Sequence, residues 1–178
     1  EEIGRLVLSA PSLLELNIGK VLQIAGFLSV VDVPILKEIN ELIRQELPVA
    51  DLYELVWNLA DSKEVDLLLF QNQEKARLNR SLWEKSGLVN TGHMMGILQN
   101  ETREEPLVDR LGRIGQETLI IAGIHDYNTG IPLSKLIHHH LPNSCFYPFY
   151  HSAHFPDLDE PERFIQVVQQ FLEQNSPC

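Results

Sequence analysis

Basic residues are in short supply: 14 Lys and Arg stand against 25 Asp and Glu in 178 residues, a formal net charge of −11. No run of Lys or Arg offsets that excess, which argues against a protein that grips nucleic-acid phosphates. Cysteine is scarcer still. Cys145 and Cys178 have no metal-ligand spacing and make no disulfide framework, so a reducing compartment, and with it a cytoplasmic location, is the expectation. The most apolar part of the first half, 13–36, is interrupted by Glu15, Lys20 and Asp32, so it falls short of the unbroken length a membrane span needs. The N-terminus has no signal-peptide pattern. There is no G-x-G-x-x-G, no G-x-x-x-x-G-K-S/T and no H-E-x-x-H, so nucleotide-phosphate and zinc-protease chemistry lack their local motifs, and no cofactor or metal is expected. No initiator methionine precedes Glu1-Glu2, which suggests processing, trimming or a segment cut from something longer.

What is present suits one core of ordinary size and apolar content. Ile3 to Ala10 is a short apolar run ended by Pro11, which reads as a buried strand. From Ser12 to about Gly87 the pattern is helical. Asp32 is placed to cap a helix with Pro34 in its first turn and Ile35, Leu36, Ile39, Leu42 and Ile43 along one stripe. Leu52, Leu55, Val56 and Leu59 form a second stripe. Asp61 followed by Glu64 predicts a capped third helix carrying Val65, Leu68 and Leu69, with Gly87 as its stop. Trp57 and Trp83 suit core packing or the wall of a pocket. The stretch 90–113 is irregular; His93 within it is either a solvated loop histidine or a functional one.

The sheet pattern returns at Glu117–Gly123, apolar almost throughout. A helix over Pro132–His140 and a strand over Cys145–Tyr150 follow. A closing helix then carries Phe164, Ile165, Val168, Phe171 and Leu172 on one face. Alternating strands and helices predict an α/β architecture of parallel strands with crossover helices.

Two residues stand where such a sheet gathers its chemistry. Asp126 lies just beyond the carboxyl end of one strand and His154 just beyond the next, the arrangement that brings an acid and a histidine together. Each has an ordinary reading beside the catalytic one. Asp126 suits a turn over His125-Asp126-Tyr127-Asn128, and His154 suits a packed loop. The run His138-His139-His140 does not suit a metal, because successive helical residues point about 100° apart; it reads as a helix end, where histidines complement the dipole. His125, Asp126, His151 and His154 could in principle meet at one metal, but no spacing motif supports it.

Leu119-Ile-Ile-Ala-Gly-Ile-His-Asp126 and His151-Ser-Ala-His-Phe-Pro-Asp-Leu-Asp-Glu-Pro-Glu-Arg-Phe164 together resemble the last two strands and final helix of the α/β-hydrolase fold. The resemblance implies Asp126 as triad acid and His154 as triad base. It also implies that 1–11 holds the strand following the nucleophile helix, 12–113 a helical cap, and 114–178 the C-terminal part of the core. Long helical caps are similar to those of proline-iminopeptidase-like and epoxide-hydrolase-like members. One element of the family departs: no G-x-S-x-G is present, and in that family the nucleophile precedes the acid and the base in chain order.

The expected protein is therefore the C-terminal portion of a serine-type hydrolase cleaving an ester, amide or peptide bond, inactive alone. Its partners are a small-molecule or short-peptide substrate and the missing N-terminal half, with no nucleic acid and no membrane span. Expressed alone, it is expected to expose a sheet edge and to aggregate or need a partner. Two other readings stay open. One is a hydrolase-like protein that binds a ligand or partner without catalysis. The other is an enzyme using Asp126 and His154 for acid/base chemistry without a covalent intermediate.

Overall fold

The computed structural model describes residues 3–13, 16–88, 93, 96–97 and 105–173. Three strands, β1 (Arg5–Ser9), β2 (Glu117–Gly123) and β3 (Ser144–Phe149), form a parallel sheet in the order β1-β2-β3. Val7 pairs with Leu119 and Ile120 with Phe146, so all three carboxyl ends emerge on one edge. Between β1 and β2 run α1 (Asn17–Val30), α2 (Val33–Ile43), α3 (Val49–Leu59), α4 (Ser62–Leu69) and α5 (Gln73–Ser86). A short helix, α6 (Leu107–Arg110), and a 3₁₀ turn over Leu111–Arg113 lead into β2. Helix α7 (Gly130–His140) makes the crossover to β3, and α8 (Pro156–Asp159) and α9 (Pro161–Leu172) close the described chain.

β2 is the centre. Leu119, Ile120, Ile121 and Ala122 have no exposed surface, because helices cover both faces. On one face, Ile120 meets Leu13, Leu133, Ile137 and Leu141. On the other, Leu119 and Ile121 meet Phe149, Val167 and Phe171. The helices after β1 keep a third cluster of their own, Ile24, Phe27, Ile39, Val56 and Leu68. Gly26 lets α1 lie directly on the loop after β2: a Cβ there would overlap the Tyr127 carbonyl oxygen and the Leu68 side chain.

Local signals account for much of this. Asp32 accepts the Ile35 N–H, Asp61 and Glu64 form a capping box, and Gly87 ends α5 in the left-handed region at φ 65°. Three expectations need correction. The helix expected from Asp61 to Gly87 is two, because Phe70 turns extended and inward, 2% exposed, and Asn72 caps a new helix by accepting the Glu74 N–H. On α9 the inward residue is Val167, fully buried, whereas Ile165 and Leu172 are 55% and 53% exposed. Phe164, Val167, Val168 and Phe171 make the i, i+3, i+4, i+7 stripe that packs under β2. Third, Cys145 is disulfide-bonded, against the expectation that the two cysteines make no disulfide framework. Among the described residues, no helix is long and apolar enough to cross a membrane.

Candidate active site

The loop after β2 is folded around the side chain of Asp126. Its Oδ1 accepts the N–H groups of Asn128 at 2.8 Å and Thr129 at 3.2 Å; its Oδ2 accepts the Thr129 hydroxyl at 2.8 Å and the Gly130 N–H at 3.1 Å. Oδ2 also lies 3.0 Å from Nδ1 of His154. The turn reading and the pairing reading of this aspartate are thus both realised by one side chain. Burial alone would push its carboxyl up. The hydrogen bond and charge of His154, with the Asn128 and Gly130 amides, outweigh burial and hold the carboxyl below the usual aspartate range. The side chain has no exposed surface, whereas His154 keeps 18%.

An ionised acceptor at Nδ1 fixes the imidazole as the Nδ1–H tautomer, leaving the Nε2 lone pair available. Nε2 lies 3.4 Å from the side-chain nitrogen of Asn128. His154 and Asn128 open on a cleft of about 790 Å³, closed from the helical side by Gln23 of α1 and by Tyr53 and Trp57 of α3. Trp57 packs edge-on against Phe27 and donates its indole N–H to Gln23 at 3.1 Å. It therefore belongs both to the helical core and to the cleft wall, whereas Trp83 is 47% exposed and lines no part of the cleft.

The histidine loop is held by different means. Glu160 accepts the His151 N–H at 3.0 Å and the hydroxyl of buried Ser152 at 2.5 Å, and Asp159 accepts the Ala153 N–H at 2.8 Å. The His125 N–H reaches back to the Ser152 carbonyl at 3.1 Å. At Gly123, where β2 ends, a Cβ would overlap the Ser152 and Ala153 carbonyl oxygens; the loop closes over bare backbone. From the helical side, Leu69 accepts the His154 N–H at 3.1 Å.

The pair Asp126 and His154 is therefore brought together. His125 and His151 hold loop backbone, and among the described residues no group of three or more His, Cys, Asp or Glu is placed to hold a metal. His138, in the last turn of α7, bonds Ser144 through Nδ1 at 2.8 Å. His93 is exposed. Sequence reasoning missed Asn128, Thr129, Asp159, Glu160 and Gly123. Asn-Thr-Gly after an aspartate is a turn signal, and two acids before Pro161 mark a helix start, but neither local signal names the loop being held.

No family model and no curated protein matches the sequence. Among solved structures, the chain is similar to an α/β fold family hydrolase from Bacillus anthracis str. Sterne, with 18% identity and a TM-score of 0.55 over 93% of this chain and 57% of that one. It is similar to an α/β hydrolase from a Medee basin deep-sea metagenome library, with 16% identity and a TM-score of 0.55 over 96% of this chain and 56% of that one. An esterase from Exiguobacterium antarcticum matches at 20% identity and a TM-score of 0.50, over 77% of this chain and 48% of that one. The chain thus carries part of an α/β-hydrolase fold, and it spans about half the length of these solved structures.

Proposed function

We propose that this chain is the C-terminal portion of a serine-type α/β-hydrolase that cleaves an ester, amide or peptide bond, with its nucleophile outside the 178 residues. The observation that carries this reading is the Asp126–His154 pair, 3.0 Å apart at the carboxyl ends of parallel strands and open to the cleft. In the complete protein, a serine Oγ attacks the carbonyl carbon while His154 Nε2 takes its proton. His154 then returns that proton to the leaving group, and water repeats the cycle on the acyl-enzyme. Asp126 stays ionised throughout, orienting the ring and stabilising the imidazolium. Segments 1–11 and 114–178 belong to the core, and 12–113 is the cap that closes the cleft from above. Tyr53, Trp57, Gln23 and Glu54 give that cap a wall of aromatic, amide and carboxylate groups, suited to a small molecule or short peptide.

The uneven burial of the sheet supports the missing half. β2 is buried beyond its first residue, while both edge strands are half-buried, β3 over residues 144–148 and β1 with Leu6, Val7 and Leu8 open to further strands on its free side. Strands of the N-terminal half would cover β1. The test is a fluorophosphonate probe on the longest native form of the protein. Labelling that disappears in His154→Ala supports the proposal. A full-length sequence without a G-x-S-x-G ahead of β1, or labelling indifferent to His154→Ala, overturns it. A cooperative thermal melt of these 178 residues as a monomer would count against the missing half.

A further inference from the structure

The break between α4 and α5 falls where Asn72 caps a new helix, but that cap does not account for the inward path of Leu69 and Phe70. The stripe of Val65, Leu68 and Leu69 could continue into α5, and the chain instead leaves the helix at Phe70 and restarts at Gln73. The two residues at the break touch the histidine loop. Leu69 gives its carbonyl to the His154 N–H at 3.1 Å. Phe70 stacks on Phe155, with ring centroids 4.9 Å apart and planes 13° from parallel. Phe155 in turn stands edge-on to the His154 imidazole, again at 4.9 Å. Three rings therefore run from the helical layer to the histidine, and Phe70 anchors the row at 2% exposure.

Leu68, one residue before the carbonyl that accepts the His154 N–H, is fully buried in the separate core of the helical layer. The seat of His154 is thus tied to the packing of α1, α3 and α4 as well as to the sheet. On the acid side, the same layer touches the loop through Gly26 and Tyr127.

We infer that Phe70 is a positioning residue: the helical layer sets the imidazole of His154 against Asp126 through the Leu69 carbonyl and the Phe70–Phe155–His154 row of rings. The layer is then a brace for the base as well as a cover for the cleft. A cover that lifts as one body would break the Leu69 hydrogen bond and unstack Phe70, releasing the histidine. Binding in the cleft that draws the helices down would seat it. Edge-to-face and stacked ring contacts have preferred geometry, so they restrict the tilt of the imidazole in a way that aliphatic packing does not.

The consequence for catalysis rests on the proposed hydrolase reading; the consequence for the imidazole does not. The experiment uses the longest native form with Phe70→Leu, which keeps most of the volume and loses the ring, Phe70→Ala, and Ile39→Ala. Ile39 is 1% exposed in the core of the helical layer, on α2, so its truncation destabilises the layer without touching the histidine loop. Proton NMR follows the low-field Nδ1–H resonance of His154, and p-nitrophenyl acetate hydrolysis gives kcat and KM.

In Phe70→Leu the resonance is expected to exchange at least about tenfold faster. The kcat is expected to fall about tenfold with KM within twofold, the split for a group misplaced only in the transition state. Ile39→Ala lowers the melting temperature and is expected to change the exchange of the resonance by no more than about twofold, because it loosens the core of the layer and leaves the row of rings intact. An unchanged resonance in folded Phe70→Leu and Phe70→Ala overturns the inference, as does an equal change in Ile39→Ala. Wild-type protein that neither hydrolyses the ester nor takes a fluorophosphonate refutes the hydrolase reading alone, and the resonance still decides whether Phe70 positions His154.

Discussion

The acid loop and the histidine loop sit side by side at one edge of the sheet and are built in opposite ways. Asp126 is enclosed by its own neighbours: four of the donors to its carboxylate come from residues 128–130. His154 is held by residues it could not have recruited locally, Asp126 on the loop after β2 and Leu69 on the helical layer, alongside Phe155, Asp159 and Glu160 near in sequence. Close-range hydrogen bonds make the acid a rigid, charged fixture, and the base depends on how well distant parts are packed. Damage to the acid should therefore be severe and local, and damage to the histidine should come from many directions and be smaller in each.

The sharpest test of that asymmetry compares Asp126→Ala with His154→Ala. Removing Asp126 leaves the buried Thr129 hydroxyl and Gly130 amide without their acceptor, at an expected cost of about 3–5 kcal/mol. Removing His154 takes away one donor of several from a partly exposed site, with about 1–2 kcal/mol expected. Urea unfolding measures both, and equal costs would break the comparison. On the proposed hydrolase reading, turnover falls roughly ten-thousand-fold even when only the acid's charge is lost, as in Asp126→Asn.

Gly123→Ala attacks the other side. The added methyl would overlap the Ser152 and Ala153 carbonyls, so the histidine loop must move while the acid loop keeps its own bonds. An overpacking cost of about 1–3 kcal/mol is expected. In NMR spectra the shifts should concentrate in 151–155 and spare 128–130. Shifts spread evenly over both loops would mean that the two do not fold independently.

The same contrast explains what could be read from the chain in advance. β2, Asp126 and His154 were legible because each is announced within a few residues: an apolar run, an acid after it, a histidine after the next strand. Asp32, Asp61 with Glu64, and Gly87 were legible for the same reason, since caps are local chemistry. The break at Phe70 was missed although Asn72 marks a helix start, and the turn of Phe70 inward onto Phe155, far along the chain, was not legible. Nor was the choice of Val167 over Ile165, since two β-branched residues two positions apart face nearly opposite sides of a helix and the sheet decides which side is inward. The proposed division into core and cap rests on resemblance, and no local pattern supplies it.

A milder probe of the acid's enclosure is Thr129→Val. It replaces the 2.8 Å hydroxyl contact to Oδ2 with a methyl group and leaves the Gly130 amide and His154 in place. The expected loss is about 1 kcal/mol. Because Asp126 is held below its ordinary value, its contribution to stability is complete above the pH at which an unfolded aspartate protonates, about 4. That contribution drains away as pH falls through the lower folded value. The Thr129→Val deficit should shrink over the same acid range, and a deficit that grows there would show that the hydroxyl does not serve the ionised form.

Asp159 gives the smallest effect and the opposite sign. Burial pushes its carboxyl above the ordinary value, with the Ala153 N–H pulling the other way and the Glu160 and Asp157 charges adding to the rise. A carboxylate raised in the folded state binds its proton more tightly folded than unfolded. Its ionisation therefore costs stability, and the cost is absent below about pH 4 and complete once pH exceeds the folded value. Asp159→Asn removes that cost and keeps an oxygen to accept the Ala153 N–H. At pH 7 the variant is expected to equal wild type or exceed it by about 0.5 kcal/mol or less, and the difference should close as pH falls towards 4. Urea melts across that range measure it. A loss above about 1 kcal/mol at pH 7 would mean that the negative charge itself holds the histidine loop. In that case the loop would share the acid loop's reliance on an ionised carboxylate, and the contrast between the two would narrow to where their donors come from.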